Sequence, residues 1–156
     1  VYECTITGID KSTRGHAGEL RGELIRDRIL GVVSANTSTG LTGKFTDKKY
    51  YSHLRKMQLG TAKQGSAEIY ATINGNVPVK YSIAIVKTDE TDKHNKNLVI
   101  KITDDRLIES AGGIVRGMSG SPIVQDGKIV GAITHVFLND STRGYGISIS
   151  KIVSDN

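Results

Sequence analysis

Short β-branched runs, each closed by a turn signal, recur from one end of this chain to the other and leave little room for a helical fold. Tyr2-Glu3-Cys4-Thr5-Ile6-Thr7 and Ala67-Glu68-Ile69-Tyr70-Ala71-Thr72-Ile73 alternate apolar with polar residues, the period-two pattern of a half-buried strand. Residues 28–33, 77–85, 98–102, 122–125, 128–134 and 144–149 complete the series. Asn74-Gly75 and Asp126-Gly127 each stand between two such runs, and both dipeptides predict tight hairpins. Helical periodicity is confined to a turn or two at residues 51–57, 105–109 and 150–154, while the polar residues 89–97 read as an exposed loop. Many short strands joined by turns predict an all-β barrel or sandwich.

Hydrophobic residues make up 37% of the 156 positions and there are 18 glycines, an apolar share that supports one folded domain with a real core. No apolar run is long enough to cross a bilayer, no signal-peptide pattern opens the chain, and no repeat or linker interrupts it. The net charge of +5 is dispersed, with small clusters only at Lys48-Lys49 and Arg55-Lys56, and Trp is absent. Nucleic-acid binding is therefore disfavoured, because little aromatic surface is available for stacking on bases. The single Cys4 excludes an internal disulfide and a cysteine-based zinc site. His16, His53, His94 and His135 show no paired metal-ligand spacing, so neither metal nor cofactor is expected.

Chemistry concentrates in Gly117-Met118-Ser119-Gly120-Ser121-Pro122. A serine between glycines is a common turn. Here, however, it precedes a strand, an Asp-Gly turn, a second strand, and then Gly-Tyr-Gly-Ile opening a third. Glycines beside a nucleophile allow the backbone angles that aim amide groups at a developing oxyanion, and Pro122 stiffens the exit into the next strand.

The segment resembles the nucleophile motif Gly-Asp-Ser-Gly-Gly-Pro of chymotrypsin-like serine proteases. A closer resemblance is to the stage IV sporulation protein B peptidases, the S55 family. It is carried by Lys101-Ile102-Thr103-Asp104, Gly112-Gly113-Ile114, Gly117 to Pro122 and Thr134-His135-Val136-Phe137. The strong part covers residues 98–149, and a looser likeness that includes residues 31–45 continues upstream.

The resemblance implies an all-β, chymotrypsin-like barrel architecture with the C-terminal barrel complete and the N-terminal barrel truncated. Residues 1–156 would be one S55-type peptidase domain lacking its N-terminal part and any PDZ domain. It implies Ser119 as nucleophile, the amides of Gly117 and Ser119 as oxyanion hole, and Asp104 as the acidic residue. Asp104 also reads as the N-cap of a helix starting at Asp105. His135, Thr134 and Gly113 would line the substrate cleft, with Gly112, Gly144 and Gly146 as further wall positions. Ser121 is the weaker of the two hydroxyls, and Met118 stands where digestive proteases carry an activating aspartate. No histidine here lies on an early strand of the expected kind, so the catalytic histidine is expected before Val1, and this fragment alone is expected to be inactive. The resemblance further implies a self-processing serine endopeptidase of a sporulation signalling cascade, exported to the space between mother-cell and forespore membranes. Its partners would be a peptide segment docking as an added strand and a membrane-associated regulator. Two other classes compete: a silent peptide-binding module on the same scaffold, and a basic nucleic-acid binder with salt-sensitive affinity.

Overall fold

The computed structural model describes residues 1–52, 54–92 and 94–154. The predicted all-β architecture is present. Strands β5 (Gly65–Ala71), β6 (Val79–Thr88), β7 (Leu98–Ile102), β8 (Pro122–Gln125), β9 (Lys128–Phe137) and β10 (Asp140–Ser148) close into one barrel in the order β10-β7-β6-β5-β8-β9. All of its pairings are antiparallel. This closed barrel is consistent with the chymotrypsin-like fold. Alternation drives it: Ile69, Ile83, Ile85, Leu98, Ile100, Ile102, Ile123 and Ile133 all point inward and are at most 2% exposed. Helix α2 (Asp105–Ala111) adds Leu107 and Ala111 to the same core.

Ahead of the barrel lie two separate ribbons, β1 (Tyr2–Asp10) with β2 (Glu19–Ile29), and β3 (Gly31–Thr37) with β4 (Gly40–Phe45). Short helices α1 (Lys48–Ser52) and α3 (Ile149–Ser154) complete the described elements. The apolar run at residues 28–33 is not one strand, for the chain turns at buried Leu30 between β2 and β3.

Asp126-Gly127 forms the predicted two-residue hairpin, with φ of 51° and 74°, the left-handed pair that a type I′ turn requires. Asn74-Gly75 does not. β5 ends at Ala71 and β6 starts only at Val79. Pro78 has no N–H to extend the ladder, and Gly75 instead exchanges both backbone hydrogen bonds with Ile6, at 2.7 and 2.9 Å. The helical turn expected at residues 51–57 forms earlier, as α1, and His53 lies outside the described residues. The described residues of the polar segment 89–97 are exposed or half-exposed as expected, except at its end. Asn97 is only 1% exposed, its amide donating to the Asp89 and Asp92 carbonyls.

Candidate active site

Ser119 lies in the turn between α2 and β8, exposed, at the mouth of a cavity of about 450 Å³. Its Oγ donates to the Thr134 carbonyl at 2.9 Å. That carbonyl is available because β9 bulges there. Tyr145 pairs with His135 and Gly146 with Ile133, which leaves Thr134 as the extra residue of the ladder. The same bulge leaves the Thr134 hydroxyl buried without a hydrogen-bond partner among the described residues.

The backbone of the serine turn alternates between used and unused donors. Arg116 N–H donates to the Gly18 carbonyl, Met118 N–H to Val115, Gly120 N–H to Ile133 and Ser121 N–H to Met118. The amides of Gly117 and Ser119, between them, have no partner among the described residues. Gly117 (φ 96°) and Gly120 (φ 88°) bracket the serine in conformations that side chains resist. Two N–H groups without a partner among the described residues, on the turn that carries Ser119, are the kind of donor an oxyanion hole requires. Met118 points the other way. It is 1% exposed, sits in the core and accepts from Val115 N–H through its sulfur.

The connection between β1 and β2, together with the start of β2, holds this turn in place. Leu20 N–H donates to the Arg116 carbonyl at 3.0 Å, and the Leu20 side chain fills the space beside Gly117. Buried Ser12 donates to the Ile114 carbonyl and accepts from Gly18 N–H, both at 2.8 Å. His16 closes that connection as an exposed turn with Thr13, away from the Ser119 cavity.

Of the residues singled out by sequence, Ser119, Thr134 and His135 share one cavity, and Ser121 opens into a different one with Gly117 and Met118. Gly113 and Gly144 lie elsewhere. A Cβ on either would come within 2.3 Å of a backbone oxygen, of Ser141 and His135 respectively, so both are close-packing positions. Gly146 likewise faces Ala132 and the Ile123 side chain.

Asp104 caps α2 from an extended conformation. Its carboxylate accepts from Arg106 Nε, Nη2 and N–H and from Ser82 N–H, at 2.8 to 3.1 Å. Hydrogen bonding from the Arg106 side chain, opposed by burial and aided by the Ser82 amide, holds its pKa down at about 2. Both oxygens are fully engaged, and Asp104 is not among the residues lining the Ser119 cavity.

Sequence reasoning passed over part of the lining of that cavity. It is made by residues 37–41 at the β3–β4 turn and by His94 and Asn95. No local pattern marks them, because they meet the serine only through the tertiary fold.

A family model described as SpoIVB peptidase S55 matches residues 1–153. No curated protein and no solved structure matches the chain.

Proposed function

The chain belongs to the SpoIVB peptidase family S55, and from that premise we propose that it is a serine endopeptidase domain with Ser119 as nucleophile. The observation that carries the proposal is the pair of unpartnered amides, Gly117 and Ser119, on the turn that presents an exposed serine hydroxyl. In the proposed reaction Oγ attacks the scissile carbonyl carbon while a base takes the hydroxyl proton. The two amides receive the oxyanion, each donor being worth roughly 10²–10³ in rate. The returned proton leaves with the amine, and water then hydrolyses the acyl-enzyme. Beyond Ile133, β9 has no β8 residue opposite it, so an extended peptide can lie along residues 134–137 as an added strand.

The Thr134 carbonyl that now holds the Ser119 hydroxyl cannot accept its proton. The proposal takes the base, a histidine, from the family resemblance, which puts it before Val1; among the described residues His94 and His135 line the Ser119 cavity. Asp104 enters by resemblance only: to orient an imidazole it would first have to release Arg106, which donates three of its four hydrogen bonds. Family membership likewise supports, as proposals, self-processing, a place in a sporulation signalling cascade, action on a membrane-associated regulator, and the compartment between mother cell and forespore.

The Ser119–Thr134 hydrogen bond also favours a second reading, a catalytically silent peptide-binding barrel. Fluorophosphonate labelling separates the two, using this chain and a version extended at its N-terminus. Label on Ser119 of the extended protein, abolished by Ser119→Ala, is the expected result. No label on either protein leaves the binding module.

A further inference from the structure

Cations that are scattered along the sequence meet on the outer face of the barrel. Lys101 on β7 points outward, because Ile100 and Ile102 on either side of it are buried. Arg143 on β10 stands directly opposite it in the antiparallel register. Arg143 and Tyr145 share this outward face, since Gly144 between them is turned toward Ile114 in the core. Lys96 completes the group, its ammonium 5.0 Å from the centre of the Tyr145 ring. Across the sheet the same face continues onto β9. There His135 pairs with Tyr145, and the Phe137 and Tyr145 ring centres are 4.7 Å apart.

Like charges directly opposite each other on paired strands cost stability, yet this fold sets Arg143 against Lys101. Among the described residues no carboxylate pairs with the side chains of Lys96, Lys101 or Arg143. The carboxylate closest in sequence to each is engaged by other groups. Asp92 accepts from the backbone amides of His94 and Lys96, Asp104 is held by Arg106, and Asp140 accepts from Thr142. The Arg143 Nε is moreover buried without an acceptor among the described residues, which leaves the desolvation of a charged donor unrecovered. An anion set between Lys101 and Arg143 relieves both penalties.

A carboxylate carried by a polypeptide suits this place better than a nucleic-acid backbone. Three cations offer few phosphate contacts, and Lys96 already covers the Tyr145 face on which a base would stack. The same sheet ends in residues 134–137 of β9, which have no β8 residue opposite them and can pair an extended chain. We propose that Lys96, Lys101 and Arg143 form a docking site for acidic side chains of the polypeptide on which Ser119 acts. The site takes its purpose from the reading of Ser119 as a nucleophile, but its test needs no catalysis.

The test measures, by fluorescence anisotropy on this chain, the binding of a fluorescein-labelled peptide with a run of glutamates and of its glutamine counterpart. The glutamate peptide is expected to bind more tightly. Lys101→Gln with Arg143→Gln should weaken it about three- to tenfold, the effect of losing one or two exposed ion pairs. Removing the same charge elsewhere, by Lys44→Gln with Lys128→Gln, should weaken it by less than about twofold at about 0.1 M salt, where remote charges are screened. Equal weakening by the two double variants, or none by the first, overturns the site. Lys101→Gln alone guards against misfolding at half-buried Arg143. It should melt no lower than the unaltered chain, because it relieves the like-charge pair, and a normally melting Lys101→Gln protein with undiminished glutamate binding also overturns the site. An oligothymidylate that depends on these residues more than the glutamate peptide does overturns it in favour of nucleic acid. Fluorophosphonate labelling of the extended protein without the glutamate preference removes the docking site and keeps the peptidase. The preference without labelling removes the peptidase reading and keeps the site.

Discussion

Arg106 reaches back two residues to grip both oxygens of Asp104, and the two differ sharply in environment: the carboxylate side chain is 8% exposed and the guanidinium 66%. A buried carboxylate with a depressed pKa stabilises the fold only while ionised. Its folded value of about 2 lies below the ordinary 3.8, so the contribution is present above pH 3.8 and is lost as pH falls through 3.8 toward 2. The gap corresponds to about 2 kcal/mol. Urea denaturation of Asp104→Ala should show that deficit at pH 7, and the two proteins should converge near pH 2. A deficit independent of pH would assign the effect to capping and packing instead of charge.

Gly112 sits against the β1–β2 connection at a positive φ of 74°, and a Cβ there would come within 2.3 Å of the Ser12 carbonyl. Gly112→Ala should destabilise the protein by about 3 kcal/mol, combining left-handed strain with displaced backbone. Because Ser12 also braces Ile114 and Gly18, the substitution should slow labelling of Ser119 in the extended protein. Wild-type melting and labelling would refute the bracing role.

The unpartnered Thr134 hydroxyl is a liability in the isolated chain. Thr134→Val keeps the branched shape and removes the buried oxygen, so it should raise stability by about 1 kcal/mol, read from the denaturation midpoint. A loss of stability would mean that the hydroxyl finds a partner in solution.

Asn97→Ala should cost about 1–3 kcal/mol, since it removes a 1% exposed side chain that donates to the Asp89 and Asp92 carbonyls and accepts from Ser148 N–H; those two carbonyls keep the Asp92 N–H and Lys151 Nζ as donors. Hydrogen exchange should accelerate in residues 89–97 before any barrel strand. If the whole barrel loosens together, Asn97 is a global determinant and not a loop anchor.

The barrel was legible because its strands bury one face and so must alternate: Leu98–Ile102 was read to the residue. β2 was not, since Glu19–Ile29 is exposed on both faces and carries no periodic signal. The serine turn announced itself through glycines whose positive φ only a functional or packing need explains. Asn74-Gly75 misled because the dipeptide's turn propensity lost to a long-range pairing with Ile6. The cavity wall at residues 37–41, and the engagement of Asp104 by Arg106, depend on which segments meet in space, and no local spacing encodes that.

Strand β8, which begins three residues after Ser119, is the four-residue seam of the barrel. It meets β5 only at Glu68↔Val124 and Ile69↔Ile123. Joining strands so distant along the chain costs more loop-closure entropy than the local β5–β6 and β9–β10 pairings. The serine turn hangs on that seam and on β9 through the Gly120–Ile133 and Ser121–Ile133 hydrogen bonds. The conformation of the turn that carries the Gly117 and Ser119 amides therefore depends on contacts that the barrel supplies. A chain in which β8 has not yet paired carries Ser119 on a turn that lacks these supports.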